Sequence, residues 1–469
     1  MRWKNKHGFS PLPAVLLVLV GLPALHAGGQ GMSSFERGRA RQILGSVSDQ
    51  VSKHYYDPEF HGLDWEAKVR ATQEEVEQAT SFDVSLSHIA ALLESLNDSH
   101  TYFVPPPKNY RLDEGWQYQM IGERCYVTQV RPGSDAETQG VKPGDEIQSL
   151  NGYHLNQNNI WKIKNVYGLW RPQPDLHSSL IDQAGAERFV DFKAKTVHTM
   201  VITEDGPLED ATGIDNAEAT RRREIHEHLT RLRYAEMGPK LMILKVPEFS
   251  FVRLHAGAFL PDAGRLNEMI AKARKHEALI LDLRGNPGGD AESLKLLVSR
   301  VFDTDIKIAD RAGRTDFKPY IAKSMGQGAF GGKLVVLIDR ESASLAEIFA
   351  RLVQIEKRGV VMGDRSSGRV MEASVHFVSM GSENYTARLA TRAMSAIPFG
   401  ASITEADVIM SDGKSLEHVG VAPDKLIIPT AADLANGRDP VLAYAAETLG
   451  AKLTPEEAAK LFPYEWPPT

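Results

Sequence analysis

Three short apolar runs constrain this chain most: Leu241–Val246, Ala278–Leu283 and Leu334–Ile338. None alternates with polar residues, so each reads as a strand buried on both faces, the signature of parallel pairing under helical layers. Helical spacings sit between and after them, at Leu266, Met269 and Ile270, at Leu294, Leu297 and Val298, and at Leu345, Ile348, Phe349 and Leu352. Residues 236–438 therefore read as an α/β layer. The alternating stretches Met371–Phe377 and Tyr385–Leu389 are expected to add antiparallel strands to it. One more helix is expected between Asp439 and Leu461, within a terminal segment 439–469.

The flanks read differently. In 28–106, Ile43, Val47, Val51 and Tyr55 recur at i+4, and Leu86, Ile89, Leu93 and Leu96 follow one helix face, which predicts a helical domain ending near Asn97-Asp98. In 107–205, Tyr118 and Met120 and then Cys125 and Val127 alternate about a Gly122-Glu123 turn, and Asn151-Gly152 marks a second turn, so this part is expected to be β-rich. Residues 155–185, with Trp161, Trp170 and Pro172, look like an insertion. The polar stretch 206–235, with Arg221 to Arg223, reads as a linker with a short helix.

Residues 1–27 have the pattern of a secretory signal: Arg2, Lys4 and Lys6, then the apolar stretch Leu12–Leu25, then Ala27. Its removal would take the formal net charge from −7 to about −10. The single cysteine, Cys125, excludes an intrachain disulfide and is expected to be a buried small hydrophobe. An exported chain without disulfides suits a bacterial periplasm, with secretion the other option. Mixed charge without a basic excess argues against nucleic-acid binding.

Two glycine and histidine patterns are decoys. Gly326-x-Gly328-x-x-Gly331 precedes a strand where a dinucleotide fingerprint needs a helix. His226-Glu227-His228 lacks the i, i+4 histidine spacing of a zinc helix. Neither a metal nor another cofactor is expected.

Two strand ends carry the chemistry. Leu279–Leu283 runs into Arg284-Gly-Asn-Pro-Gly-Gly289, where ligands bind in α/β sheets and where glycines let backbone N–H groups approach an oxyanion. Read alone, this is more simply a tight strand-to-helix turn. Leu334–Ile338 runs into Asp339-Arg-Glu-Ser-Ala-Ser-Leu-Ala-Glu347, where Ser344 and Glu347 form a capping box. A serine there is also where a nucleophile profits from free N–H groups and the helix dipole.

Together, Asp282–Gly289, Ser342–Phe349, Gly363-Asp-Arg-Ser-Ser-Gly368 and the Asp412–Asp424 segment resemble the C-terminal processing (tail-specific) and tricorn-type serine peptidases. Pro132–Ala136, Gly140–Ile147 and Leu150-Asn-Gly152 resemble a PDZ domain. The resemblance implies a multidomain α/β protein: an N-terminal helical segment, a β-rich PDZ domain over 107–205 and a ClpP/crotonase-like peptidase core. It implies Ser344 as nucleophile, with Ser342 as runner-up, and an oxyanion hole from the Leu345 N–H and that of Gly288 or Gly289.

The base departs from the tail-specific pattern. Arg369 stands where that branch has its lysine, and Ala373 where it has a glutamine. A guanidinium stays protonated and cannot accept the serine proton. The tricorn branch instead implies the pair Ser99-His100 with a glutamate near the C-terminal motif, for which Glu417 is the candidate. His100 would then deprotonate Ser344, Glu417 would orient it through Ser99, and Arg369 would pair with a substrate carboxylate or a neighbouring acid. As plain residues, His100 is a turn histidine and Glu417 a structural acceptor. The implied partners are protein or peptide substrates; peripheral membrane contact and a homo-oligomer stay open. The competing expectation is a peptidase fold without activity, kept as a PDZ scaffold. The first reading requires His100 and Ser344 to face one cavity.

Overall fold

The structure is a computed structural model that describes residues 32–468, apart from 106–109, 167, 169–171, 199–201, 204–205, 208–224, 226, 256–257, 262 and 379–398. The signal 1–27, most of the 206–235 segment, His226, Trp170 and the stretch Tyr385–Leu389 lie outside the described residues.

A six-stranded sheet forms the centre, in the order Arg233–Met237, Leu241–Lys245, Ala278–Asp282, Lys333–Ile338, Val360–Gly363, Lys425–Leu426. The first pair is antiparallel and the rest are parallel. Every residue of Ala278–Asp282 is buried, which is why this strand carries no polar face. Helices Gly264–Ala273, Ala291–Val301 and Leu345–Ile355 cover one face. The opposite face packs Ile243, Ile280, Val335 and Leu337 against Val441, Leu442, Ala445 and Ala446 of the C-terminal region. That region holds two helices rather than the one expected, Pro440–Thr448 and Pro455–Leu461. Gly450 takes a positive φ of 79° between them, and Pro455, which cannot continue a helix, opens the second.

Residues 116–193 build a five-stranded antiparallel sheet, Trp116–Ile121, Arg124–Val130, Glu146–Leu150, Asp175–Ile181 and Glu187–Lys193. The stretch read as an insertion is partly built into it. Ile160 and Ile163 of the short helix Ile160–Asn165 join its core, and Asp175–Ile181 is one of its strands. Cys125 is buried on the second strand, and burial pushes its thiol up to about 12.

A further antiparallel sheet ties the N-terminal helices to the core. The strand Tyr102–Val104 pairs with the long strand Phe399–Met410, which also pairs with Ile306–Gly313 and Met371–Val378. Helices Ser34–His54, Trp65–Gln78 and Phe82–Glu94 bury Ile43, Val47, Trp65 and Ile89 against Phe103, Phe399 and Ile403. The N-terminal segment and the Phe399–Met410 strand thus share one core.

Candidate active site

Ser344 ends the loop after the Lys333–Ile338 strand and opens the helix Leu345–Ile355. Its backbone is at φ 53°, ψ −117°, a left-handed conformation that a non-glycine residue adopts only when its surroundings enforce it. The enforcement is visible: its N–H donates to Arg369 O (2.8 Å) and Glu347 Oε2 (3.0 Å). Glu347 is fully buried and accepts four hydrogen bonds, from Ser366 Oγ, Gly368 N, Arg369 N and Ser344 N. Burial pushes its carboxyl up to about 7 against these donors, which favour the anion. The sequence reading saw only a helix cap in this glutamate. Tertiary contacts make it the post that fixes Ser344 and the 363–370 loop together.

The glycine turn after Ala278–Asp282 lies against this serine. Gly288 has φ 108° and no room for a side chain, since a Cβ there would sit 2.7 Å from Ser344 Cβ. Gly289 has φ 143°, and a Cβ there would sit 2.0 Å from Phe249 O. The Gly288 N–H donates to Asn286 Oδ1 (2.8 Å) and is thereby withdrawn from the oxyanion candidates. The Gly289 N–H and the Leu345 N–H, the latter an orphan donor of the first helical turn, have no acceptor among the described residues. Ser342, the alternative nucleophile, is fully buried and its hydroxyl donates to Leu283 O at 2.8 Å.

Ser99 and His100 arrive from the N-terminal segment. Asp98 Oδ1 accepts from His100 N (2.9 Å), Thr101 N (2.6 Å) and Thr404 Oγ1 (2.7 Å), locking the turn onto the Phe399–Met410 strand. Asp98 and Thr404 were missed by the sequence reading; the Asx-turn spacing of Asp98 to His100 was the available signal. Glu417 Oε1 accepts from Ser99 N (2.8 Å), while its Oε2 accepts from Ser99 Oγ (2.9 Å) and Val370 N (2.8 Å). Ser99 Oγ lies 2.8 Å from His100 Nδ1. The direction of this chain follows from the inventory of protons. A carboxylate only accepts, so the single Ser99 proton goes to Glu417. His100 Nδ1 must then carry the proton donated to Ser99 Oγ, and Nε2 is left with its lone pair. Burial, then the nearby Arg369 charge, hold the imidazole down to about 4.

His100, Gly289, Ser344, Leu345, Ile348 and Met371 line one cavity of about 500 Å³. No hydrogen bond joins His100 to Ser344; such bonds commonly tighten only when substrate is bound. Arg369 is not among the residues lining this cavity. Its Nε donates to Ser367 Oγ (2.8 Å), and its guanidinium lies 5.8 Å from the centre of the Trp161 ring.

Residues 240–427 match peptidase family S41. They belong to that family. The matched region holds five of the six strands of the central sheet, all but Arg233–Met237, and both loops around Ser344, and it makes this chain a serine peptidase. A chloroplastic carboxyl-terminal-processing peptidase of Arabidopsis thaliana is 22% identical over 83% of this chain and 70% of its own length. A tricorn protease homologue of Streptomyces coelicolor is 23% identical over 86% of this chain but only 31% of its own length. Among solved structures, mature CPAF superposes with a TM-score of 0.61 at 15% identity, covering 86% of this chain and 96% of that one, a likeness of fold. Among the described residues, no helix is long and apolar enough to cross a membrane.

Proposed function

We propose that this S41 peptidase is an exported endopeptidase that cleaves protein substrates through an acyl-enzyme on Ser344, with His100 as general base. The observation that carries the reading is the hydrogen-bond chain from Glu417 through Ser99 to His100 Nδ1, which leaves Nε2 basic beside the cavity that holds Ser344.

His100 Nε2 takes the Ser344 proton as Oγ attacks the peptide carbonyl. The carbonyl oxygen becomes an anion held by the Gly289 and Leu345 N–H groups. His100 then gives its proton to the leaving amine. Water, deprotonated by the same imidazole, hydrolyses the ester and restores Ser344. Glu417 and Ser99 fix the tautomer and stabilise the imidazolium that forms. Arg369, against Trp161 and Ser367, acts by keeping His100 neutral at rest rather than by pairing with a substrate carboxylate. The five-stranded sheet 116–193 serves as a PDZ domain; Trp116–Ile121 is its edge strand among the described residues, the kind of position at which such a domain adds an extended peptide strand.

Fluorophosphonate labelling tests this. Wild type is expected to be labelled on Ser344, with labelling abolished in Ser344→Ala and slowed about 10²–10⁴-fold in His100→Ala. Labelling that survives Ser344→Ala removes the mechanism. A properly folded wild type that takes no label at all leaves the scaffold reading standing.

A further inference from the structure

At the Phe399–Met410 strand, three metal-ligating side chains from three elements converge. His54 is the last residue of the helix Ser34–His54, His376 lies on Met371–Val378, and Glu405 lies on Phe399–Met410. One donor atom from each lies within 4.8 Å of the other two, and all three residues are half-buried. We propose that His54, His376 and Glu405 form a binding site for a late first-row divalent metal ion such as Zn²⁺, which staples the N-terminal helix to the sheet.

The arrangement is close to what such an ion requires. Zinc takes imidazole and carboxylate donors at about 2.0–2.2 Å, so tetrahedral ligand atoms lie roughly 3.3 Å apart. His376 Nε2 and Glu405 Oε1 are 2.9 Å apart, and the His54 and His376 rings stack with centroids 4.2 Å apart. Stacked rings do not both aim an in-plane lone pair at one ion, so the half-buried His54 ring must turn out of its stack with His376 to close the set, leaving the fourth position to water. An outer partner is present: Ser374 Oγ donates to Glu405 Oε2 at 3.0 Å, which leaves Oε1 as the ligating oxygen. Glu405 is also the extra residue of a β-bulge, because Glu372 pairs with Ala406 while Ala373 pairs with Thr404. Bulges re-aim side chains and accumulate beside sites. Two nitrogens and one carboxylate oxygen suit zinc and its neighbours over calcium or magnesium, which prefer all-oxygen shells.

The consequence is mechanical. Glu405 adjoins Thr404, whose hydroxyl holds Asp98 and whose carbonyl accepts from Tyr56 N, two residues beyond His54. A bound ion would fix the helix end and the strand that carry the Asp98–His100 turn.

The test is Zn²⁺ titration by calorimetry on untagged, chelator-treated full chain, with Co²⁺ as a spectroscopic probe. One Zn²⁺ per chain is expected, with visible d–d absorption from Co²⁺ and a melting temperature that falls on adding EDTA. His54→Ala and His376→Ala are expected to lose binding. Glu405→Gln, which keeps hydrogen-bonding capacity and hence the fold, is expected to weaken binding, and Ser374→Ala by about tenfold or more. Absence of binding to wild type, or equal binding to wild type and to the His54→Ala and Glu405→Gln variants, overturns the site.

Discussion

Ser344 holds a backbone conformation that costs about 1–3 kcal/mol for a residue with a side chain. Glycine meets no such penalty, so Ser344→Gly is expected to melt higher than Ser344→Ala, with both unlabelled by fluorophosphonate. Equal melting temperatures would mean that the loop is relaxed around serine. His100 gives a second prediction at this scale. Its imidazole is held at about 4, below the ordinary 6.5, by burial and by Arg369. The neutral base therefore persists on acidification, and the acid limb of kcat/KM is expected well below pH 6.5. Arg369→Gln removes the opposing charge and is expected to move that limb upward. The same depression makes the unfolded chain bind the proton first, so the His100 contribution to stability, complete above pH 6.5, is lost as pH falls towards 4. The sequence showed Ser344, Ser99, His100 and Glu417 as residue types in suggestive motifs. It did not show the proton order along Glu417–Ser99–His100, because that depends on distances between residues about 320 positions apart.

Among the elements, the two loops around Ser344 were legible in advance and the strand that positions His100 was not. Strand-to-helix turns announce themselves locally, through Gly288-Gly289 and through Ser344 with Glu347. Phe399–Met410 starts Phe-Gly-Ala-Ser-Ile-Thr, without the alternation of a half-buried strand, because its first six residues are all buried between helices and neighbouring strands. Close approach in these elements leaves little tolerance. Gly289→Ala would drive a Cβ to within 2.0 Å of Phe249 O, so it is expected to abolish labelling and to lower the melting temperature. Glu347→Gln replaces an all-acceptor carboxylate with an amide whose NH₂ must face buried N–H donors. A cost of about 1–3 kcal/mol in denaturant unfolding is expected, together with slower labelling as the 363–370 loop loosens.

Across the whole molecule, the C-terminal residues join the antiparallel sheet to the core. Glu465 makes a bidentate pair with Arg231 (2.7 and 2.9 Å), and the Trp466 ring lies 4.7 Å from the Arg131 guanidinium. Arg131 and Arg111 donate to the carbonyls of Pro467 and Pro468. Deleting 463–469 is expected to expose the 116–193 sheet to limited proteolysis while leaving Ser344 reactive, measured by cleavage rate and by label. The sequence by itself determined the parallel layer, the glycine turn and the placing of Ser344 at a helix start, because periodicity and turn residues are local properties of a chain. Only the tertiary structure decided which N–H groups remain free, that Arg369 rests against Ser367 and Trp161, and that an N-terminal histidine meets a C-terminal glutamate across one hydroxyl. Those are set by pairings such as Tyr102 with Ser402, whose partners are far apart in the chain and whose geometry exists only once the sheet has closed.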